Sequence, residues 1–263
     1  MLHKLKELED FEVHATDGDI GHTTEFYFDD KQWVIRYLVA ETGSWLESRK
    51  VLISPISIKN LNQKEKKLTV AISREQLKNS PNIDTQQPVS RQHEVNYLGY
   101  YGYPPYWGNV GLWGGYPSPY MIAPGYRGMA PQPDEEIDDP VRKNDQDHHL
   151  RSSSAVSDYH LETNDGDLGH LQGMLIDTDT WAIRYLIINT SNWWLGHLVL
   201  IAPQWIKEVS WANAKIYADM TQQQIKDAPV YDPDIPLSRE YETKIFLHYG
   251  RNAYWSKREE ALV

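Results

Sequence analysis

The chain has 263 residues, 40% hydrophobic and 24% charged, with a formal charge of −11 at neutral pH, enough for two domains of roughly 100 residues each. The acidic balance argues against a nucleic-acid surface, which needs clustered Lys and Arg to replace phosphate counterions. Zero cysteines exclude disulfides, thiolate metal sites and a cysteine nucleophile.

The N-terminal run MLHKLKELEDFEVHA lacks the apolar core and small-residue cleavage site of a signal peptide. No stretch reaches about 18 uninterrupted apolar residues, so no transmembrane segment and a cytoplasmic location are expected. Residues from Glu12 to Thr16 alternate into Asp17-Gly18, the dipeptide that favours a tight hairpin because glycine accepts positive φ. Gly21 then sits inside a strand pattern, which predicts a bulge or a close backbone approach. Phe26 and Phe28 continue with period two, Asp29-Asp30 turns the chain, and WVIRYLVAET reads as a central strand. Trp45 follows in a loop, then Val51 to Ile53, a bend at Pro55, and a hairpin from Ile56 to Ile72. Its tip, KNLNQKEKK from Lys59 to Lys67, reads as solvated. SREQLKN predicts a helix with a capping box, Pro81 ends it, and a second helix runs from the Ser90 cap to Gly102.

The same order then returns at an offset of 148 residues. DGDIGHTTEFYFDDKQWVIRYLVAET, Asp17 to Thr42, recurs as DGDLGHLQGMLIDTDTWAIRYLIINT, Asp165 to Thr190, and Tyr106-Trp107 recur as Tyr254-Trp255. Such a repeat makes each copy one structural unit. The expected fold is mainly β with short helices: two small antiparallel barrels in tandem, each followed by a two-helix and aromatic-tail extension. The expected domains are 1–107, 108–150 and 151–263, the middle one a Pro/Gly/Tyr-rich and then acidic linker. The lysine-rich tip has no basic counterpart in KEVSWANAK, Lys207 to Lys215.

The strand–DGDxGH–strand–WxIRYLV pattern with VLISP and a closing hairpin resembles the PRC-barrel, the small barrel of the photosynthetic reaction centre H subunit and of a bacterial ribosome-maturation factor. The resemblance covers Phe11 to Ile72 and Tyr159 to Met220, and the segments after each barrel resemble the extension of bacterial tandem PRC-barrel proteins. It implies a fold more than an activity, and it assigns no functional residue. Unlike the H subunit, this chain carries no predicted transmembrane helix.

Asp17, Asp19 and His22, with Asp165, Asp167 and His170, are the candidates for a repeated cation site; turn chemistry accounts for them, and no metal or cofactor is expected. Arg36 and Arg184 are candidates for an anionic ligand, although a buried arginine more often packs its stem on aromatics and pairs its head with an acid. Trp45, Trp193 and Trp194 are candidate ligand or partner contacts. Tyr106, Trp107, Tyr254 and Trp255 are expected to dock as tails on barrel surface, of their own copy or the other. No carboxylate pair in opposed environments and no nucleophile motif suggests catalysis. The expected function is therefore non-enzymatic docking or assembly, with a protein partner and an intramolecular pseudo-dimer of the two barrels. The alternatives are binding of a small molecule or ion in the cleft between barrels and, third, an enzyme.

Overall fold

The computed structural model describes residues 2–81, 89–107, 111–123, 150–190 and 196–256. The chain divides into two compact units. Unit 1 holds His3–Ala155 and Ile176–Ile183, and unit 2 holds Leu2, Val156–Leu175 and Arg184–Val263.

After β1 (Leu2–Lys4), the first copy forms β2 (Glu12–Ala15), β3 (Gly18–Asp29), β4 (Val34–Thr42), β5 (Lys50–Ile53), β6 (Ile58–Asn62) and β7 (Lys67–Val70), then α1 (Arg74–Lys78) and α2 (Arg91–Tyr101). A further strand, β8 (Leu150–Ser152), precedes the second copy, which forms β9 (His160–Thr163), β10 (Gly166–Asp177), β11 (Ala182–Asn189), β12 (Leu198–Ile201), β13 (Ile206–Ser210) and β14 (Lys215–Ala218), then α3 (Gln222–Lys226) and α4 (Arg239–His248). Every strand and helix of the second copy starts 148 residues after its counterpart, as β9 follows β2 and α4 follows α2. The protein is mainly β, and among the described residues no helix is long and apolar enough to cross a membrane.

Pairing in the first copy runs β6–β7–β2–β3–β4–β5, and in the second β13–β14–β9–β10–β11–β12. Strand β4 is buried from Val34 to Ala40, as its β-branched and aromatic composition predicts. The Asp17-Gly18 turn leads into a register shift opposite Val13 and His14. There, a Cβ on Gly21, at φ +151°, would lie 1.9 Å from the Glu41 carbonyl oxygen. Both expected glycine roles, bulge and close approach, are met at one residue.

The antiparallel barrel expected from the hairpin pattern needs correction. β7 pairs with β2 in parallel, as β14 does with β9. The cause is Pro55: it opens a short 3-10 turn, Pro55–Ser57, that bends the chain without reversing it, so β5 and β6 run in the same sense. The hairpin from β6 to β7 then brings β7 back parallel to β2. The pairing also does not close, because β5 pairs only with β4 and β6 only with β7 among the described strands. The result is a mixed sheet with open edges.

Capping follows the sequence signals. Ser73 Oγ accepts from the Gln76 amide at 3.1 Å while Gln76 Oε1 accepts from the Ser73 amide at 2.8 Å. Thr221 and Gln224 repeat the box. Gly102, at φ 68°, ends α2 in the left-handed region.

Within the segment read as a linker, residues 108–150, residues 111–123 pack into unit 1. Trp113 is 1% exposed, and its Nε1–H donates to the Thr180 carbonyl at 2.7 Å. Tyr120 donates to the Thr178 carbonyl and accepts from Trp181 Nε1–H at 2.9 Å. Strand β8 pairs with the end of β3, and Arg151 meets Asp30 at 3.0 Å, so the first residues assigned to the second domain also lie in unit 1. Pro and Gly deny this segment a regular ladder, but they do not prevent a large indole from finding an apolar site with an acceptor at its rim. Residues 124–149 lie outside the described residues.

Candidate functional site

The repeated polar side chains do structural work. Glu94, on α2, is fully buried and accepts from Tyr37 at 3.2 Å, Tyr106 at 2.6 Å and Arg91 at 3.1 Å. In the second copy Glu242 accepts from Tyr185 and Tyr254, each at 2.9 Å, and from Arg239 at 3.0 Å. The neighbouring carboxylate and burial push the Tyr37, Tyr106 and Tyr185 phenols well above their ordinary value, burial being the larger cause. Arg91 lies 4.0 Å over Trp107 and Arg239 4.0 Å over Trp255. Each aromatic tail thus docks within its own unit. The two glutamates went unnoticed in the sequence, although their 148-residue spacing was there to find.

Arg36 is 1% exposed. Its guanidinium stacks 3.7 Å over Tyr106 and 5.0 Å from Trp113, and it donates to Leu112 O, Gln32 Oε1 and Asp29 Oδ2. A ligand would have to displace the tail to reach it. Arg184 stands 4.3 Å over Tyr254. Trp45 donates to the Ile20 carbonyl at 2.7 Å and lies under Arg74. Trp193 and Trp194 lie outside the described residues.

The turn aspartates tie hairpin to helix. Asp17 Oδ1 accepts from the Arg74 amide and Asp165 Oδ1 from the Gln222 amide, both at 2.7 Å. The Gln222 amide, and next the Thr163 hydroxyl, hold the Asp165 carboxyl below its ordinary value. Asp167 meets Lys215 at 3.3 Å, and His170 lies on β10. Asp19 and His22 line a groove of about 440 Å³ with Asp10, Glu12 and His14. Within that groove His14 Nδ1 contacts Asp19 at 2.5 Å and its Nε2 faces Glu12 at 3.5 Å.

A second groove of unit 1, about 580 Å³, follows the outer edge of β6. One wall is the continuous run Ile58 to Lys64, and the others come from His3, Tyr120, Thr178 and Asp179. Its volume falls in the range of ligand pockets. Because β6 pairs with β7 alone among the described strands, the groove presents a strand edge unpaired by any of them. Tyr120, 44% exposed, offers an aromatic face. His3 Nδ1 meets Gln63 Nε2 at 2.5 Å, and burial holds its imidazole below the ordinary value, favouring the neutral ring. Asn60, Asn62, Gln63, Lys59 and Lys64 add amide and ammonium side chains to the lining, with Asn62 Oδ1 accepting from the Glu65 amide at 3.2 Å. Sequence reasoning missed this site because it took the tip as solvated and placed Tyr120 in a linker.

No curated protein matches the chain. The PRC-barrel domain family matches residues 2–77, which hold β1 to β7, most of α1 and all of the groove except its Tyr120, Thr178 and Asp179 wall. The chain therefore carries one PRC-barrel domain, over residues 2–77.

Proposed function

We propose that the chain is a non-enzymatic docking and assembly protein, built of two tandem copies of a PRC-type unit, and that unit 1 receives an extended segment of a protein partner along β6. The open edge of β6 beside a groove of about 580 Å³ carries this reading, because main-chain pairing at a free edge supplies affinity and flanking side chains supply selectivity. It is supported by the employment of Arg36, Glu94, Glu242, Asp17 and Asp165 in structural contacts. A cytoplasmic setting belongs to the same reading, in keeping with a chain without cysteine.

The absence of cysteine also supplies the test. Asn62→Cys places a single thiol in the groove, and Ser210→Cys places one at the equivalent position of β13. Alkylation with a bulky maleimide is expected to abolish retention of the native partner by the Asn62→Cys protein and to leave the Ser210→Cys protein unaffected. Equal retention by both alkylated proteins would contradict docking at β6.

A further inference from the structure

The tip of the β6–β7 hairpin holds four lysines and one glutamate in a chain of net charge −11. Lys59, Lys64 and Lys66 are exposed and Lys67 half-buried, and none of the four forms an ion pair among the described residues. The second copy is a built-in comparison. Its hairpin carries only Lys207 and Lys215. Both are neutralised: Lys207 by Asp219 at 3.1 Å, and Lys215 by Glu162 at 2.6 Å and Asp167 at 3.3 Å.

Lysines on an edge strand also deter self-pairing, yet β13 is an edge strand too and carries no such cluster. Deterrence alone therefore does not account for the four uncommitted charges. Lys59 and Lys64 also line the groove itself, the first beside Ile58 at one end of the run and the second at the other end. We propose, building on the docking reading above, that the segment received along β6 is an extended acidic peptide, its backbone paired to β6 and its carboxylates set against Lys59 and Lys64.

Charge complementarity decides between occupants. A second copy would bring its own four unpaired tip lysines to the same edge, an unfavourable accumulation of like charge. A nucleic acid would pass Asp179 on the opposite wall and meet a chain with a strong acidic excess, both adverse to a polyanion. A peptide can place its carboxylates on one side only, since alternate residues of a strand face opposite ways.

The test uses the whole chain and a labelled synthetic peptide alternating Glu with Val or Thr, followed by fluorescence anisotropy. The peptide is expected to bind, to weaken as salt rises, and to lose about tenfold in affinity when Lys59→Ala and Lys64→Ala are combined. Lys207→Ala is expected to change nothing. Replacing two adjacent central peptide residues by Pro is expected to abolish binding, because one of any two neighbours donates to the ladder. Equal binding of a Gln-for-Glu peptide would overturn the acidic specificity while leaving the docking reading intact. Undiminished binding of the Pro peptide would overturn strand pairing. Tighter, lysine-dependent binding of a single-stranded oligonucleotide would overturn the choice of a peptide. Binding that appears only after Asp134, Glu135, Glu136, Asp138 and Asp139 are neutralised would assign the groove to this chain's own acidic run. Should no peptide bind while alkylated Asn62→Cys still loses its native partner, the acidic proposal fails and the docking reading stands. If that partner is also retained, both fail.

Discussion

Replacing Glu94 by Ala removes the acceptor on which the first aromatic tail is hung. Its carboxylate, fully buried, accepts hydrogen bonds from Tyr37, Tyr106 and Arg91. Truncation removes the acceptor of two hydroxyls whose residues are 1% and 4% exposed, at about 1–3 kcal/mol each, and leaves Arg91 without this carboxylate. The expected cost is about 3–5 kcal/mol, the range for breaking a buried polar pair from one side. Tyr106→Phe alone removes one donor and leaves Glu94 its contacts with Tyr37 and Arg91, so it should cost about 1–1.5 kcal/mol. Against that background Glu94→Ala should cost about 1–2 kcal/mol less than in the parent, a coupling a double-mutant cycle resolves. Because two units need not unfold together, the readout should be local. The Tyr103 amide, which donates to Leu98 O at 2.9 Å, reports the end of α2, and its exchange protection should fall by about two to three orders of magnitude in Glu94→Ala. A fall of less than tenfold, or no coupling to Tyr106, would refute the view that this glutamate holds the tail.

Gly21→Ala and Gly169→Ala should each destabilise by roughly 2–3 kcal/mol, since the new Cβ would lie 1.9 Å and 2.0 Å from backbone carbonyl oxygens. Gly99→Ala, in a helix with nothing within 4 Å, should instead stabilise by about 0.5–1 kcal/mol; denaturant midpoints of the three variants check the contrast. The Asp165 carboxyl is held below its ordinary 3.8 by the Gln222 amide. Its contribution is therefore complete above that value and lost as pH falls through the lower folded value, and Asp165→Asn should remove this acid dependence of Gln222 amide exchange. With those oxygens committed, calorimetry with calcium or zinc should show no binding that depends on Asp17 and Asp165 together. Burial, and next Glu242, push the Tyr254 phenol up to about 12 from 10.0. The stability it contributes is full below 10 and lost as pH rises through about 12, visible as late phenolate absorbance that shifts earlier in Glu242→Gln.

Features governed by neighbours in sequence were legible before the fold was known. The Asp17-Gly18 turn, the Gly21 bulge, the Ser73–Gln76 box and the Gly102 cap each follow from the conformational limits of a few adjacent residues, and the 148-residue repeat doubled every such signal. Features that depend on distant partners were not. The parallel match of Val13 with Leu68 follows from a bend at Pro55 that preserves chain direction, and periodicity carries no sign of direction. Trp113 looked like linker because its site is assembled from Arg36 and Thr180, far away in sequence. The groove along β6 was hidden for the same reason. An exposed lysine-rich tip reads as solvated until Tyr120, Thr178 and Asp179 are seen to wall it.

Backbone amide exchange across Ile58–Asn62, with and without the bound partner, tests the docking account most directly. Strand addition predicts that outward-facing amides of β6 gain protection in the complex while those of β13, Ile206–Ser210, stay as they were. Unchanged exchange along β6 in a demonstrably formed complex would contradict it.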